Sequence, residues 1–258
     1  MIFSIESAES EGPEMDLMKY NTEEYAGRFR LQYDTECLKK QFRNVYFIIG
    51  TAYAGKSTMV RMLSEHYDGI LCEENYGLKY LDEYGVNSEE HPCLCYTDNH
   101  SMVEFVNRTP DEYCDWLRGS EIEITPIEIG ELQKLTAVHP DQKIFVDTSI
   151  PMEVLRLISG YNNVAVMLSD QSVSVNRFFE RPDYEKQIIF RAIRQSDDPE
   201  EAMANYRRVL EQANSPERYR YFENSGFYVF KRDDSLTLKE TMDRLAQHFG
   251  LEQPAALD

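Results

Sequence analysis

The stretch VYFIIGTAYAGKS, residues 45–57, decides how the fold is interpreted. Val45 to Ile49 is a continuous apolar run rich in residues that favour strands, which predicts a strand buried on both faces, as in a parallel sheet. From Lys56 to Tyr67 the apolar residues recur on one helical face instead. The sequence therefore predicts a buried strand, a glycine-bounded loop and an amphipathic helix in immediate succession.

The loop between them, Gly50 to Ser57, fits the pattern G-x-x-x-x-G-K-[ST] in full. Its glycines let the backbone approach phosphate oxygens, its amides form an anion nest, and the helix that follows adds its positive end. Lys56 supplies a point charge for the β- and γ-phosphates, and the Ser57 hydroxyl suits Mg²⁺. A chance match in a glycine turn is the alternative, but the flanking strand and helix favour nucleotide binding. The residues expected at the nucleotide are Gly50, Thr51, Ala52, Tyr53, Ala54, Gly55, Lys56, Ser57 and Thr58.

Four further apolar runs predict strands, and segments with helical periodicity lie between them. These runs cover residues 69–72, 143–147, 164–168 and 227–230. Five strands that alternate with helices predict an α/β fold with a parallel sheet.

Capping signals predict where several helices begin. Thr125 followed by Pro126, with Glu128 to complete a capping box, predicts a helix start. Thr237 and Glu240 predict the same for the last helix. Other helices are predicted at residues 151–159 and after Asp198.

The chain divides into an N-terminal extension or arm, residues 1–41, and one domain, residues 42–258. Within the polar and acidic extension, Met1 to Ile5 and Arg28 to Tyr33 could be strands or ordered arms. The domain contains an irregular, mainly helical insertion at 75–120 and a mostly helical region at 171–224.

The chain of 258 residues carries a formal net charge of -19, which argues against some classes of partner. Such a surface repels nucleic acid phosphates and anionic membranes. The apolar runs are too short to cross a bilayer, and the first residues lack the basic and apolar regions of a signal peptide. The five cysteines then fit free thiols in a reducing compartment. We expect a cytoplasmic protein that binds neither nucleic acid nor a membrane.

The chain has no N-K-x-D motif, which disfavours a Ras-like GTPase, and no L-S-G-G-Q segment, which disfavours an ABC ATPase. Residues 44–250 resemble the group of nucleoside, nucleotide and shikimate kinases. The resemblance rests on the phosphate-binding loop, the order of strands along the chain and an arginine-rich segment after the fourth predicted strand. It implies a P-loop NTPase-type five-stranded parallel sheet flanked by helices, a helical lid that carries arginines, and ATP with Mg²⁺. It also implies an acceptor site between the second strand and the helical insertion.

The lid implied by this resemblance falls on Arg177 and Arg181, which are four residues apart and so share one helical face. Pro182 then interrupts the helix, and Arg191 and Arg194 follow on the next segment. Arginines at such a place stabilise the charge that spreads over the γ-phosphate oxygens during transfer. The alternative is a set of surface ion pairs with Glu180, Asp183 and Glu185.

Three acidic residues lie at strand ends where they can serve the reaction. Asp147 ends the third strand and resembles a Walker B aspartate that holds Mg²⁺, although it could simply cap the next turn. Glu73 and Glu74 follow the second strand, where one of them can act as general base on the acceptor hydroxyl. The alternative is a solvated acidic loop, and the sequence does not choose between the two glutamates.

Two further groups of residues in the insertion allow more than one interpretation. Arg108 and Arg118 could hold an anionic acceptor, or they could be ordinary surface arginines. The segment that contains His91, Cys93, Cys95 and His100 offers metal ligands, but C-x-C with flanking histidines departs from the usual zinc spacing.

Together these features predict an ATP- and Mg²⁺-dependent kinase that transfers a phosphoryl group to a hydroxyl of a small-molecule acceptor. Lys56, the lid arginines and one of the two glutamates would be its catalytic residues, and Ser57 and Asp147 would serve the metal. The first alternative is a nucleotide-dependent switch or regulatory ATPase that acts on a protein partner. The second is a degenerate P-loop fold used as a binding module.

Overall fold

The computed structural model describes residues 20–170, 172, 175, 178 and 184–252. Its centre is a five-stranded sheet made of β1 Val45–Gly50, β2 Ile70–Cys72, β3 Ile144–Asp147, β4 Val164–Leu168 and β5 Tyr228–Lys231. The strand order is β2-β3-β1-β4-β5, and every neighbouring pair is parallel. The five predicted strands and the α/β class with a parallel sheet are therefore confirmed.

Helices flank this sheet. In chain order they are α1 Thr22–Gln32, α2 Thr35–Gln41, α3 Lys56–His66, α4 Tyr96–Asn99, α5 Met102–Asn107, α6 Pro110–Val138, α7 Met152–Ile158, α8 Tyr184–Gln195, α9 Pro199–Ala213, α10 Pro216–Glu223 and α11 Leu238–His248. Short 3₁₀ turns cover Phe42–Asn44, Tyr76–Tyr80 and Tyr161–Asn163. The capping box that Thr237 and Glu240 form at the start of α11 is confirmed. In the described part of the chain, no helix is both long and apolar enough to span a membrane.

The side chains of β1 divide between two cores because they alternate in direction along the strand. Val45, Phe47 and Ile49 pack into a core shared with α1, α2, α6 and α7. Tyr46 and Ile48 pack on the opposite face, in a core shared with α3 and α11. Both faces of the sheet are thus covered, which explains why the inner strands are almost continuously apolar.

The register of the sheet brings the end of β3 beside the phosphate-binding loop. Phe47 lies opposite Val146, and Ile48 lies opposite Asp147. Since β1 and β3 are parallel neighbours, their carboxyl ends meet at the same edge of the sheet. Asp147 is therefore next to the loop that begins at Gly50.

The prediction that a helix begins at Thr125 is wrong, because this residue lies inside α6. The helix begins at Pro110 instead, where Thr109 and Glu112 form a capping box. Thr125 is fully buried and its hydroxyl donates to the carbonyl of Glu121, at 2.6 Å. An internal proline removes one backbone hydrogen bond, but α6 buries a long row of side chains against the core, and that packing outweighs the local helix-start signal.

The strand considered for Arg28 to Tyr33 is also wrong, since residues 28–32 form the end of α1. Phe29 of α1 and Leu38 of α2 are almost completely buried in the same core as Val45 and Phe47. Residues 22–41 therefore share the core of the sheet. Met1 to Ile5 lie outside the described residues.

A third apolar cluster contains no residue of the sheet. It is built by α5, α8 and α9, and we call it the helical cluster. Its buried members are Phe105, Val106, Ala192, Ile193, Ala202, Tyr206, Val209 and Leu210. Partly buried rings of the 75–120 region, among them Tyr96, Tyr113 and Trp116, pack against it.

Candidate functional site

The backbone of the phosphate-binding loop needs both of its glycines. Gly50 has a φ of 141° and Gly55 a φ of 94°, and both values lie in the region that favours glycine. A Cβ atom on Gly50 would lie 1.9 Å from the carbonyl oxygen of Met167, which no side chain can tolerate. Gly55 is the N-cap of α3, so Lys56 and Ser57 form the first turn of that helix.

The neighbouring strand β4 and the residue after it hold the first half of the loop in place. The amide of Thr51 donates to the carbonyl of Met167 at 3.0 Å, and the hydroxyl of Thr51 accepts from the amide of Ser169 at 2.8 Å. The Ser169 hydroxyl donates in turn to the carbonyl of Ala52, at 2.7 Å. Sequence reasoning missed Ser169, because its contact with the loop depends on the pairing of β1 with β4.

The middle of the loop is held by Arg232, which follows β5. Its guanidinium donates to the carbonyl of Tyr53 at 2.8 Å and pairs with Asp234 at 2.7 Å. Tyr53 has a φ of 61°, which is uncommon for a residue other than glycine. Arg232 therefore supports a loop conformation that costs free energy, and nothing in the local sequence around residue 232 indicates this contact.

Ser57 and Asp147, the predicted metal pair, are brought together. The Ser57 hydroxyl donates to Asp147 Oδ2 at 2.7 Å. The carboxylate of Asp147 is almost fully buried, and its Oδ1 has no hydrogen-bond partner among the described residues. Burial raises the pKa of Asp147 to about 6, against the lowering effects of Lys56 and of the Ser57 hydrogen bond. With one oxygen unpaired among the described residues and its charged form disfavoured by burial, this carboxylate can accept a further positive partner.

Both glutamates after β2 are exposed, but their charges act on different groups. Glu73 forms an exposed ion pair with Arg61, at 2.8 Å. The charge of Glu74 instead acts on Asp147 and contributes to its raised pKa. The structure thus places Glu74, rather than Glu73, in electrostatic contact with the end of β3.

Glu128 is a further buried acid near this edge of the sheet. Its Oε2 accepts from the Thr148 hydroxyl at 3.0 Å, so it does not cap a helix at Thr125 as predicted. Burial raises its pKa to about 8, with a smaller contribution from the charge of Asp147 and an opposing one from the Thr148 hydrogen bond. Only the tertiary contact between α6 and the loop after β3 reveals this residue.

The predicted lid residues Arg177 and Arg181 lie outside the described residues, as do Pro182, Glu180 and Asp183. Arg191 and Arg194 lie on α8 and are exposed.

The possible metal ligands of the insertion are not brought together. Within the described ranges, no group of three or more histidine, cysteine or acidic side chains could hold a metal ion. Cys93 and Cys95 are buried thiols, whereas His100 is exposed and stacks on Tyr96. Of the two arginines considered for an anionic acceptor, Arg118 is exposed beside Asp115 and Arg108 is buried.

Comparison of the chain with protein-family models, with curated proteins and with solved structures finds no match. What can be inferred about function therefore comes from the loop and the side chains around it.

Proposed function

We propose that the chain transfers a phosphoryl group from ATP to a hydroxyl of a small-molecule acceptor, with Mg²⁺ as the metal. The observation that carries this proposal is the hydrogen bond of 2.7 Å between Ser57 and Asp147, which are 90 residues apart in the sequence. A glycine-bounded loop, a hydroxyl in the first helical turn and a carboxylate on the neighbouring strand are the parts that hold a nucleotide with its metal in P-loop proteins.

The residues at this place fit a hydrated Mg²⁺ ion. Ser57 and Asp147 would hold it, since hydroxyl and carboxylate oxygens are the hard ligands that this ion prefers. The buried Oδ1 of Asp147, which lacks a partner among the described residues, is the strongest support for a cation site here. Bound there, the metal would neutralise charge on the β- and γ-phosphate oxygens.

The residues of the chain would act by positioning and charge rather than by forming covalent bonds. The amides of the loop and the first turn of α3 would bind the phosphates. The Lys56 ammonium lies 3.4 Å from the carbonyl of Thr51, folded back over the loop that the phosphates would occupy. Arg177 and Arg181 remain the predicted lid residues.

Glu74 is the better candidate for the general base. Glu73 is engaged by Arg61 in an exposed ion pair, so its carboxylate already has a cationic partner. Glu74 acts electrostatically on Asp147, which puts its charge near the proposed metal site. A base in that position can accept the proton of an acceptor hydroxyl as the phosphoryl group arrives. The partners we propose are thus a nucleotide and a small hydroxylated molecule, while the net charge of -19 disfavours nucleic acid and membranes.

Nucleotide binding is tested by the thermal stability of the chain with ATP, GTP and ADP, each with and without Mg²⁺. A ligand at 100 times its Kd adds about 2.7 kcal/mol to the free energy of unfolding. We expect a Mg²⁺-dependent rise in melting temperature with ATP, which is lost in Lys56→Ala and reduced in Asp147→Asn. Glu73→Gln is the matched control, because it removes an exposed charge near the same edge and should keep the shift.

The absence of any shift with all three nucleotides would contradict the proposal and favour the degenerate binding module. If ATP binds, phosphorus NMR with a panel of hydroxylated metabolites identifies the reaction. A kinase produces a new phosphate ester signal with one class of acceptor. A regulatory ATPase or switch hydrolyses ATP to ADP and inorganic phosphate and forms no new ester, whichever acceptor is added.

A further inference from the structure

Arg108 is a buried arginine for which the described residues supply no counter-ion. Only 8% of the residue is exposed, and both of its terminal nitrogens are buried without a hydrogen-bond partner among the described residues. Its Nε donates over a long distance, 3.4 Å, to the carbonyl of Phe105. A buried charge without a partner is costly in free energy, so a natural chain seldom keeps one unless something binds to it.

None of the acidic residues closest to Arg108 in the sequence forms an ion pair with it, although the charge of Glu112 acts on its guanidinium. The three carboxylates within four residues of it are all hydrogen-bonded elsewhere. Their partners are Ser101 for Glu104, Gln212 for Asp111 and Thr109 for Glu112. Arg218 shows the contrasting case, because this partly buried arginine of α10 is paired directly with Glu121.

Aromatic rings surround the guanidinium of Arg108 at the edge of the helical cluster. The distances from its Cζ atom to the ring centroids are 3.9 Å for Tyr96, 4.1 Å for Phe105, 4.9 Å for Trp116 and 6.0 Å for Tyr113. We call these four residues the ring cage. Rings hold a guanidinium through their faces, but they leave the terminal N–H groups without an oxygen acceptor.

We propose that Arg108 and the ring cage form a binding site for an oxyanion, a phosphate ester or carboxylate group of a small molecule. Two oxygens of such a group match the two terminal nitrogens of a guanidinium in a bidentate pair. The ligand would enter past Tyr96. This residue is partly exposed, belongs to the four-residue helix α4 and stacks on the exposed His100. None of these residues belongs to the phosphate-binding loop, so this site does not rest on the proposed function.

Trp116 makes this site directly observable, because it is the single tryptophan of the chain and belongs to the cage. The experiment titrates the full chain with sodium phosphate and with sodium acetate, against sodium chloride at equal ionic strength, and follows tryptophan fluorescence. The same titrations are made with Lys56→Ala, which disables the phosphate-binding loop. We expect a saturable change with at least one of the two anions in both proteins.

Two substitutions assign the response to the guanidinium. Arg108→Lys keeps the positive charge but cannot donate two parallel hydrogen bonds to one anion, so it should raise the apparent Kd at least tenfold. Arg118→Lys is the matched control, since Arg118 is an exposed arginine on the adjoining helix and should leave the Kd unchanged. Arg108→Met should melt no lower than the wild type without anions, because it removes an unpaired buried charge.

Each outcome either supports or excludes the anion site at Arg108. A phosphate-selective response identifies a phosphate ester and an acetate-selective response a carboxylate, and either supports the site. The site is excluded if neither anion gives a saturable change, or if Arg108→Lys binds as tightly as the wild type. A response that disappears in Lys56→Ala belongs to the phosphate-binding loop; it would refute this site while supporting the proposed function. A lower melting temperature for Arg108→Met, together with unchanged binding by Arg108→Lys, shows a purely structural arginine.

Discussion

At the scale of single residues, burial separates three acids that lie near one edge of the sheet. Glu73 is exposed and paired with Arg61, whereas Asp147 and Glu128 are buried and have raised pKa values. Asp147 has a hydroxyl donor and an oxygen without a described partner, so a cation would stabilise its charged form. The same residue type thus takes different roles according to its surroundings, and these roles can be separated by substitution.

The two glutamates after β2 give a direct test of the general base. We expect Glu74→Gln to lower kcat by a factor of about 10² to 10⁴, the usual contribution of a positioned proton acceptor. Glu73→Gln should change kcat by only a few-fold, because an exposed ion pair with Arg61 contributes little. The measurement is the steady-state rate with the acceptor that the NMR panel identifies. A large loss in Glu73→Gln with normal activity in Glu74→Gln would reverse the assignment.

Glu128 predicts how stability depends on pH. Its pKa is about 8 in the folded chain against 4.5 for the ordinary group, so the folded state keeps a proton that the unfolded state releases between these values. The free energy of unfolding therefore falls as pH rises from about 4.5 to about 8, by up to about 1.4 kcal/mol per pH unit for this group. Below that window the group imposes no cost, and above it the cost is constant.

The check is urea denaturation of the wild type and Glu128→Gln at pH 5, 6, 7 and 8. Glutamine can still accept from Thr148 but cannot ionise, so the variant should gain stability relative to the wild type as pH rises. The comparison removes the contributions of groups that do not interact with Glu128, whereas the contribution of Asp147 stays in the difference because the two acids interact. Parallel pH profiles would show that Glu128 is not protonated in the folded chain.

At the scale of elements, the sequence patterns predicted the strands and the loop, whose conformations depend on interactions between neighbouring residues. The apolar runs of β1, β3 and β4 are buried on both faces, and this burial is what makes them continuous in the sequence. The loop from Gly50 to Ser57 was also predictable, because its glycines meet a need of the backbone itself. The start of α6 was not, since the packing of a 29-residue helix prevails over the helix-start signal at Thr125 and Pro126.

The same distinction applies to the residues around the loop. Ser57 and Asp147 belong to segments with recognisable patterns, so their meeting could be anticipated from the order of parallel strands. Ser169 and Arg232 contact the loop only because β4 and β5 come to lie where they do in the sheet. The isolation of Arg108 depends likewise on which carboxylates its neighbours engage, and a sequence read residue by residue does not contain that information.

At the scale of the whole molecule, the N-terminal helices join the sheet in one core. Phe29 of α1 is 1% exposed and packs in the cluster that contains Val45 and Phe47, so α1 contributes to global stability. We expect Phe29→Ala to lower the free energy of unfolding by about 3–5 kcal/mol, the usual cost of removing a buried aromatic ring. Leu31→Ala is the control on the same helix, because Leu31 is 89% exposed and its loss should change stability by less than about 0.5 kcal/mol.

Urea denaturation followed by circular dichroism measures both variants. A single transition that shifts for Phe29→Ala and not for Leu31→Ala shows that residues 22–41 unfold together with the sheet. If α1 were only an arm on the surface, both variants would unfold like the wild type, or a separate early transition would appear. The same measurement with saturating Mg²⁺ and ATP extends the test. A nucleotide that binds the folded chain should raise the free energy of unfolding of all three proteins by the same amount. A smaller gain in Phe29→Ala would instead mean that α1 influences the phosphate-binding loop through the shared core.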